Sequence, residues 1–298
     1  MRLSLWGVGW LGPGVGWLRQ AFSWPEWLLF ASLYLPLRAL GGAPALRWTA
    51  LLAPLASLSF FVLLKLLDDI MDYRQDRAAQ RDSYLQRGQA SLGDLRALML
   101  AILAMQGGAT WACGGASALP VWIGLVGCAW LLAHPLLAAR PLLYSLLHYL
   151  LLPGFAWWQL AILRSDWHVQ PADSLLMAQF YCGAMQYELS RKLDPVRGYA
   201  GVLRLRAACA WIVCFSLLAC MAAAALGIAL GVELGVARGT HWWAAALACC
   251  VFGLVCMVHG RLSIHPSIEK TSRARWVSGL SLLGLNLLSA ASAFLATS

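Results

Sequence analysis

Charge is what this sequence has least of. Only 12% of its 298 residues are Asp, Glu, Lys or Arg, against 61% hydrophobic, and just thirteen are acidic. A soluble globular domain holds about a quarter of its residues as charge, so this composition cannot clothe a water-exposed surface. Linkers are missing too. No Ser-, Gly- or Pro-rich stretch, low-complexity tract or short repeat divides the chain, so we expect one integral-membrane unit over 1–298, with 1–20 as an interfacial or loosely ordered lead-in. The nine cysteines include no Cys-x-x-Cys pair, which removes the commonest zinc and redox spacings. They read as small buried apolar residues.

What is present is a succession of apolar runs long enough to cross a bilayer. Backbone in lipid must satisfy its own hydrogen bonds, so such runs read as helices. They fall at about 24–40, 46–67, 95–113, 119–138, 141–163, 174–189, 207–231, 241–259 and 276–296. The expected fold class is all-α, a polytopic membrane protein of about nine transmembrane helices bundled around a central cavity. Tryptophans gather near several span ends, as interface anchors do, among them Trp24, Trp27, Trp122, Trp157, Trp158, Trp167, Trp242, Trp243 and Trp276.

The net charge of +9 does not call for nucleic acid, because its distribution explains it. In a nine-span arrangement, eighteen of the twenty-two Lys and Arg residues fall on one side. Only Arg38, Arg47, Arg164 and Arg238 fall on the other. Positive residues collect in cytoplasmic loops, so the first side is expected to be cytoplasmic.

The scarce acids are not scattered. Asp68, Asp69, Asp72 and Asp76 crowd into nine residues at the end of the apolar run 51–67. If the helix continues through them, Asp68, Asp72 and Asp76 stack at i, i+4 and i+8, with Asp69 beside them. Four carboxylates at a membrane boundary repel one another unless a cation sits among them, and a divalent metal is the expected one. Arg74 and Arg77 interleave. A second polar patch, Tyr187-Glu188-Leu189-Ser190-Arg191-Lys192-Leu193-Asp194-Pro195, ends the sixth span on the same side and is stopped by Pro195.

An acidic helix end facing a cationic patch above an apolar bundle suits a ligand with a diphosphate head and a hydrocarbon tail. Mg²⁺ takes one or two carboxylates plus phosphate oxygens and water, and Arg and Lys neutralise the remaining phosphate charge. Loss of diphosphate from an allylic carbon leaves a cation that aromatic faces stabilise. Candidate rings are Tyr144, Tyr149, Phe155, Trp157, Trp158, Phe180, Tyr181 and Tyr187.

The pattern Asp68-Asp69-x-x-Asp72-x-x-x-Asp76 resembles the Asn-Asp-x-x-Asp-x-x-x-Asp signature of the UbiA-type intramembrane prenyltransferases. Leu85-Gln86-Arg87-Gly88-Gln89-Ala90-Ser91-Leu92 resembles that family's Leu-Pro-x-Gly-x-(small)-Ser-(aliphatic) stretch. The resemblance implies a nine-helix enzyme that moves an isoprenyl group from its diphosphate, with Mg²⁺, onto an aromatic or other small or lipid acceptor. It implies Asp68, Asp69, Asp72 and Asp76 as metal ligands. Asp69, Asp72, Asp76 and Lys192 become catalytic, and Arg74, Arg77, Glu188, Arg191, Lys192 and Asp194 bind diphosphate. The chain departs from the family at Asp68, where Asn is usual, and at Ser83-Tyr84, where Arg-Pro is common. It departs again at Glu188-Leu189-Ser190-Arg191-Lys192, which takes the place of an Asp-x-x-x-Asp motif. A lysine there could neutralise diphosphate where a second Mg²⁺ would sit. A membrane terpene cyclase and a non-enzymatic lipid-diphosphate carrier remain as alternatives. The expected partners are an isoprenyl diphosphate, an unidentified acceptor and the lipid bilayer, with no nucleic acid.

Overall fold

The computed structural model describes residues 11–42, 49–78, 84–133, 141–193, 205–233, 242–264 and 268–297, and every element among them is a helix. In chain order these are α1 (Leu11–Ala21), α2 (Trp24–Gly41), α3 (Thr49–Ala78), α4 (Leu92–Leu132) and α5 (Pro141–His148). They continue as α6 (Leu151–Arg164), α7 (Pro171–Lys192), α8 (Leu205–Glu233), α9 (Trp242–Ile264) and α10 (Ile268–Thr297). Among the described residues, six segments are long and apolar enough to cross a membrane, within α3, α4, α5–α6, α8, α9 and α10. The protein is therefore a polytopic, all-α membrane protein.

Local signals start two of the helices. Ser91 caps α4 reciprocally: its Oγ accepts from the Asp94 N–H at 3.1 Å, and Asp94 Oδ2 accepts from the Ser91 N–H at 2.8 Å. At α2, Glu26 accepts the Ser23 N–H at 2.7 Å, with Pro25 in the first turn where its missing N–H costs nothing.

Helix α4 is a hairpin, not a rod. Gly115 sits at φ 65° and ψ −160°, a left-handed region that glycine enters without Cβ strain. Beyond it the chain doubles back, so Trp122 packs where a Cβ on Gly107 would lie, 3.1 Å from its ring. In a straight helix those residues would be roughly 22 Å apart. The spans read separately as 95–113 and 119–138 thus join through a one-residue turn. Ser117 and Ser165 bond each other's neighbourhoods across it: Ser117 Oγ donates to the Ser165 carbonyl, and Ser165 Oγ to the Cys113 carbonyl.

The span expected at 141–163 divides instead into α5 and α6. Pro153 has no N–H to offer the Tyr149 carbonyl four residues back. That carbonyl turns to the Leu152 N–H at 3.1 Å, and the helix breaks at Tyr149–Leu150. The lead-in is more ordered than expected over 11–21, which form α1, and Trp17 on it is buried.

Packing closes a ring. Helix α3 lies on α4, α4 on α6, α6 on α7, α7 on α8, α8 on α9, α9 on α10, and α10 returns against α2. Small residues allow the closest approaches. A Cβ on Gly114 would stand 2.5 Å from the Ala118 Cβ and 3.1 Å from backbone atoms of Ala161 and Ile162. Gly114→Leu therefore has to push α4 off α6. We expect a loss of about 1–3 kcal/mol, read as a lower unfolding midpoint in detergent; an unchanged midpoint contradicts the close approach. Of the cysteines only Cys182, Cys209 and Cys220 are buried, while Cys128, Cys214, Cys249 and Cys250 point outward. In a membrane an outward thiol meets lipid, so burial inside the protein is not needed.

Candidate functional site

Helix α3 runs without interruption through the acidic stretch to Ala78, so Asp68, Asp72 and Asp76 do stand one turn apart on one helix. Asp69 is committed to protein partners. Its Oδ1 accepts a hydrogen bond from Lys65 Nζ at 2.6 Å and its Oδ2 accepts from Trp17 Nε1–H at 2.8 Å. Lys65 also approaches Asp68 at 3.6 Å. Asp68 is about half exposed and Asp69 about a quarter. Asp72 and Asp76 are half-buried and Arg77 is exposed. The side chain of Arg74 and all of Asp194 lie outside what the structure describes.

Lys65 is the internal counterion of this cluster, one turn before it. Sequence reading assigned Lys65 only to the charge bias between the two sides. The i, i+3 and i, i+4 spacing to Asp68 and Asp69 was the available signal. Trp17 gave no such signal, since nothing local links it to a residue fifty-two positions on. Helix α1 lies under the turn that follows the motif as well. Gln20 Oε1 accepts from Arg87 at 2.7 Å, and Tyr84 sits where a Cβ on Gly16 would be. In that turn Gln86 Nε2 donates to the Tyr73 carbonyl, and Gly88 adopts φ 69°. The second stretch of the resemblance, 85–92, thus clasps the end of α3 and then caps α4.

The second patch sits at the C-terminal end of α7. Glu188 is buried and its carboxylate is fully engaged. Tyr149 Oη–H donates to it at 2.8 Å, Arg191 Nε at 2.9 Å, and Lys192 Nζ lies 3.1 Å away. Lys192 also donates to Ser145 Oγ on α5. A buried carboxylate is tolerated only when it is paired and hydrogen-bonded, and this one is. Arg191 remains more than half exposed, so its guanidinium still reaches solvent at the helix end.

One ring is near both patches. His148, at the end of α5, is within electrostatic reach of Asp68 on α3 and of Glu188, Lys192 and Arg191 on α7. The acidic and basic clusters therefore share one end of the bundle. The break in the helix at Tyr149, imposed by Pro153, lets consecutive side chains serve different neighbours. His148 had been hidden inside an apolar span, where a lone histidine carries no pattern.

The structure also sorts the candidate rings. Phe155 and Trp158 are wholly buried with Phe60, at centroid separations of 5.2 Å and 6.1 Å from it, and Phe180 is wholly buried. Those three are core. Trp157 donates its indole N–H to the Trp167 carbonyl at the opposite end of the bundle. Tyr181 bonds the Leu146 carbonyl and Tyr187 packs on Gly279. Tyr144 and Tyr149 flank His148 at 5.1 Å and 5.7 Å, and Tyr187 is within electrostatic reach of Glu188 and Arg191, so these three are the rings nearest the two patches. A separate apolar hollow of about 820 Å³ opens between the second arm of α4 and α5–α6, from Trp167 to Leu147 and Leu150. No charged residue lines it.

Among the described residues, no three His, Cys, Asp or Glu side chains converge on a point that would hold a metal ion. The arrangement supplies carboxylates from one helix and cations from another at the same end of the bundle.

No family model matches the chain, and no curated protein matches its sequence. Solved structures do resemble it. A structure described as giving insight into digeranylgeranylglyceryl phosphate synthase in membranes aligns over 96% of this chain and 99% of its own, with a TM-score of 0.66 and 12% identity. The apo UbiA homologue from Aeropyrum pernix K1 aligns over 93% of this chain and 100% of its own, at a TM-score of 0.63 and 16% identity. The UbiA homologue from Archaeoglobus fulgidus bound to GPP and Mg²⁺ aligns over 93% of this chain and 99% of its own, at 0.60 and 14%. The fold is that of the UbiA-type intramembrane prenyltransferases.

Proposed function

We propose that this chain, built on the UbiA-type fold, is a Mg²⁺-dependent intramembrane prenyltransferase. It would ionise an allylic isoprenyl diphosphate and pass the prenyl group to a small or lipid acceptor. The observation that supports the reading is that the α3 carboxylate Asp68 and the α7 groups Glu188, Arg191 and Lys192 all lie within electrostatic reach of His148, at one end of the bundle. The charge asymmetry of the loops supports a cytoplasmic position for that end.

The residues fit the metal in a particular way. A cage made only of protein groups is absent among the described residues, and Asp69 already gives both oxygens to Lys65 and Trp17. Mg²⁺ seldom needs such a cage: one or two carboxylates suffice when substrate phosphate and water complete the octahedron. Asp68, Asp72 and Asp76 would hold it, and Asp69 would fix the helix end through its two partners. When bound, the ion supplies charge neutralisation to the departing diphosphate.

The remaining work falls to side chains on the page. Arg191 and Lys192, gathered by Glu188, set a positive face toward the phosphate oxygens, with Arg77 at the end of α3. Lys192 is held on two sides, by Glu188 and Ser145, so its ammonium is already positioned before ligand arrives. This pre-set cation supports the idea that a lysine stands where a second Mg²⁺ would otherwise be needed. Tyr144 and Tyr149 offer ring faces to an allylic cation.

The test is product analysis. Purified protein in liposomes of total lipid extract from the source cells is given Mg²⁺ with farnesyl or geranylgeranyl diphosphate. A prenylated acceptor, lost on chelation of the metal with EDTA, is the expected result. A cyclic terpene formed without any acceptor reassigns the chain as a cyclase. Binding without consumption of either diphosphate makes it a carrier.

A further inference from the structure

Every described carboxylate of the two clusters already has an occupation, yet a prenyl transfer to a hydroxyl leaves a proton to be removed. Glu188 is held by Tyr149, Arg191 and Lys192, and Asp69 by Lys65 and Trp17. Asp68, Asp72 and Asp76 are assigned to the metal in the reading above. A carboxylate neutralised by bound cations is a poor proton acceptor.

One basic atom is left over. Nδ1 of His148 is buried and has no hydrogen-bond partner among the described residues. An imidazole nitrogen kept from water without a partner costs free energy, on the order of 1–3 kcal/mol. That cost is recovered when a donor arrives. The ring is not loose: Tyr144 and Tyr149 pack on it, and Tyr149 is itself anchored to Glu188. The charged groups facing His148 come from two other helices, Asp68 from α3 and Glu188, Arg191 and Lys192 from α7. They are the groups between which the diphosphate and the reacting carbon would lie.

We propose that His148 is the catalytic base of the transfer, accepting on Nδ1 the proton of a hydroxyl-bearing acceptor; this rests on the prenyltransferase reading. In the tautomer with hydrogen on Nε2, Nδ1 carries the lone pair. The allylic C–O bond breaks and its electron pair leaves with the diphosphate. The acceptor oxygen forms the new C–O bond with a lone pair of its own. Its proton passes to Nδ1, and the imidazolium then returns it to water or to the released diphosphate. Nothing is oxidised or reduced. The substrate class follows: the acceptor is an alcohol or phenol.

The experiment uses full-length protein in the liposomes described above with tritiated geranylgeranyl diphosphate. Released diphosphate, prenyl alcohol (water as nucleophile) and prenylated acceptor are measured separately. General-base catalysis contributes about 10²–10⁴-fold. In His148→Gln the ratio of prenylated acceptor to prenyl alcohol should fall about 100-fold or more. In His148→Ala, added imidazole should restore that ratio in a concentration-dependent way, because the base is replaced in kind. An unchanged ratio in His148→Gln overturns the proposal. So does failure of imidazole to rescue a His148→Ala protein whose unfolding midpoint matches wild type. Absence of diphosphate release from the wild-type protein instead strikes at the prenyltransferase reading itself.

Discussion

Replacing Asp72 with Ala is expected to cut diphosphate release from an allylic substrate by about 10²–10³-fold or more, the range seen when one preorganised electrostatic group is lost. Asp72 is the acid for which the argument is sharpest. It stands one turn beyond Asp68 on the same helix and half-buried, where a carboxylate shared between a metal and substrate would be. Asp69, by contrast, holds the cluster to Lys65 and α1. Asp72 lies near the end of α3 and is only half-buried, so the variant should remain folded in detergent. Loss of turnover with retained fold is the result expected. Full activity in Asp72→Ala would remove the α3 acids from the chemistry.

At the other end of the bundle the expected loss is of stability. Arg164 on α6 and Asp173 on α7 form a two-pronged pair, at 2.6 Å and 2.8 Å, with Asp173 only 1% exposed and Arg164 14%. Arg164 also donates to the Leu40 carbonyl at the end of α2, and Asp173 accepts the Gln170 N–H that opens α7. One ion pair thus ties three helices. Asp173→Ala leaves the guanidinium with a single carbonyl and no counterion, and breaking a buried pair costs about 3–5 kcal/mol. The double variant Arg164→Met with Asp173→Leu should recover most of that loss, because an apolar pair carries no stranded charge. Unfolding midpoints of the two variants against wild type decide it. A single Asp173→Ala protein as stable as wild type would show that the pair contributes little.

How far the sequence led can be traced residue by residue. Hydropathy and loop charge were enough for the all-α membrane fold, because lipid permits few alternatives for a long apolar run. Helix α3 passing through its four aspartates was legible too, since nothing between Thr49 and Ala78 except Pro54 interrupts it. The joining of two spans at Gly115 was not, because a one-residue reversal and a short loop leave the same gap in hydropathy. The division of α5 from α6 could have been found at Pro153, whose missing N–H acts four residues upstream.

The site was half visible. Acids and cations stood out by their rarity in an apolar chain, and their alternation across nine spans put them at one end. Their pairing did not stand out. Lys65 was within helical reach of Asp68 and Asp69, but it had been absorbed into the count of positive charges. Trp17 and His148 depend on tertiary contact: one approaches Asp69 across fifty-two residues, the other is within electrostatic reach of both Asp68 and Glu188. Aromatic rings were over-counted in the same way, since Phe155, Trp158 and Phe180 look like Tyr144 and Tyr149 until the core is assembled.

The most direct measurement is calorimetric binding of farnesyl thiolodiphosphate, an analogue that resists ionisation, to the purified protein with Mg²⁺ and again with EDTA. A metal bridging carboxylate and phosphate is worth several kcal/mol, and each 1.4 kcal/mol is tenfold in affinity. Affinity should therefore fall at least about 100-fold on chelation in the wild-type protein, and Asp72→Ala should bind weakly under both conditions. Equal affinity with and without Mg²⁺, unaltered by Asp72→Ala, would contradict the account.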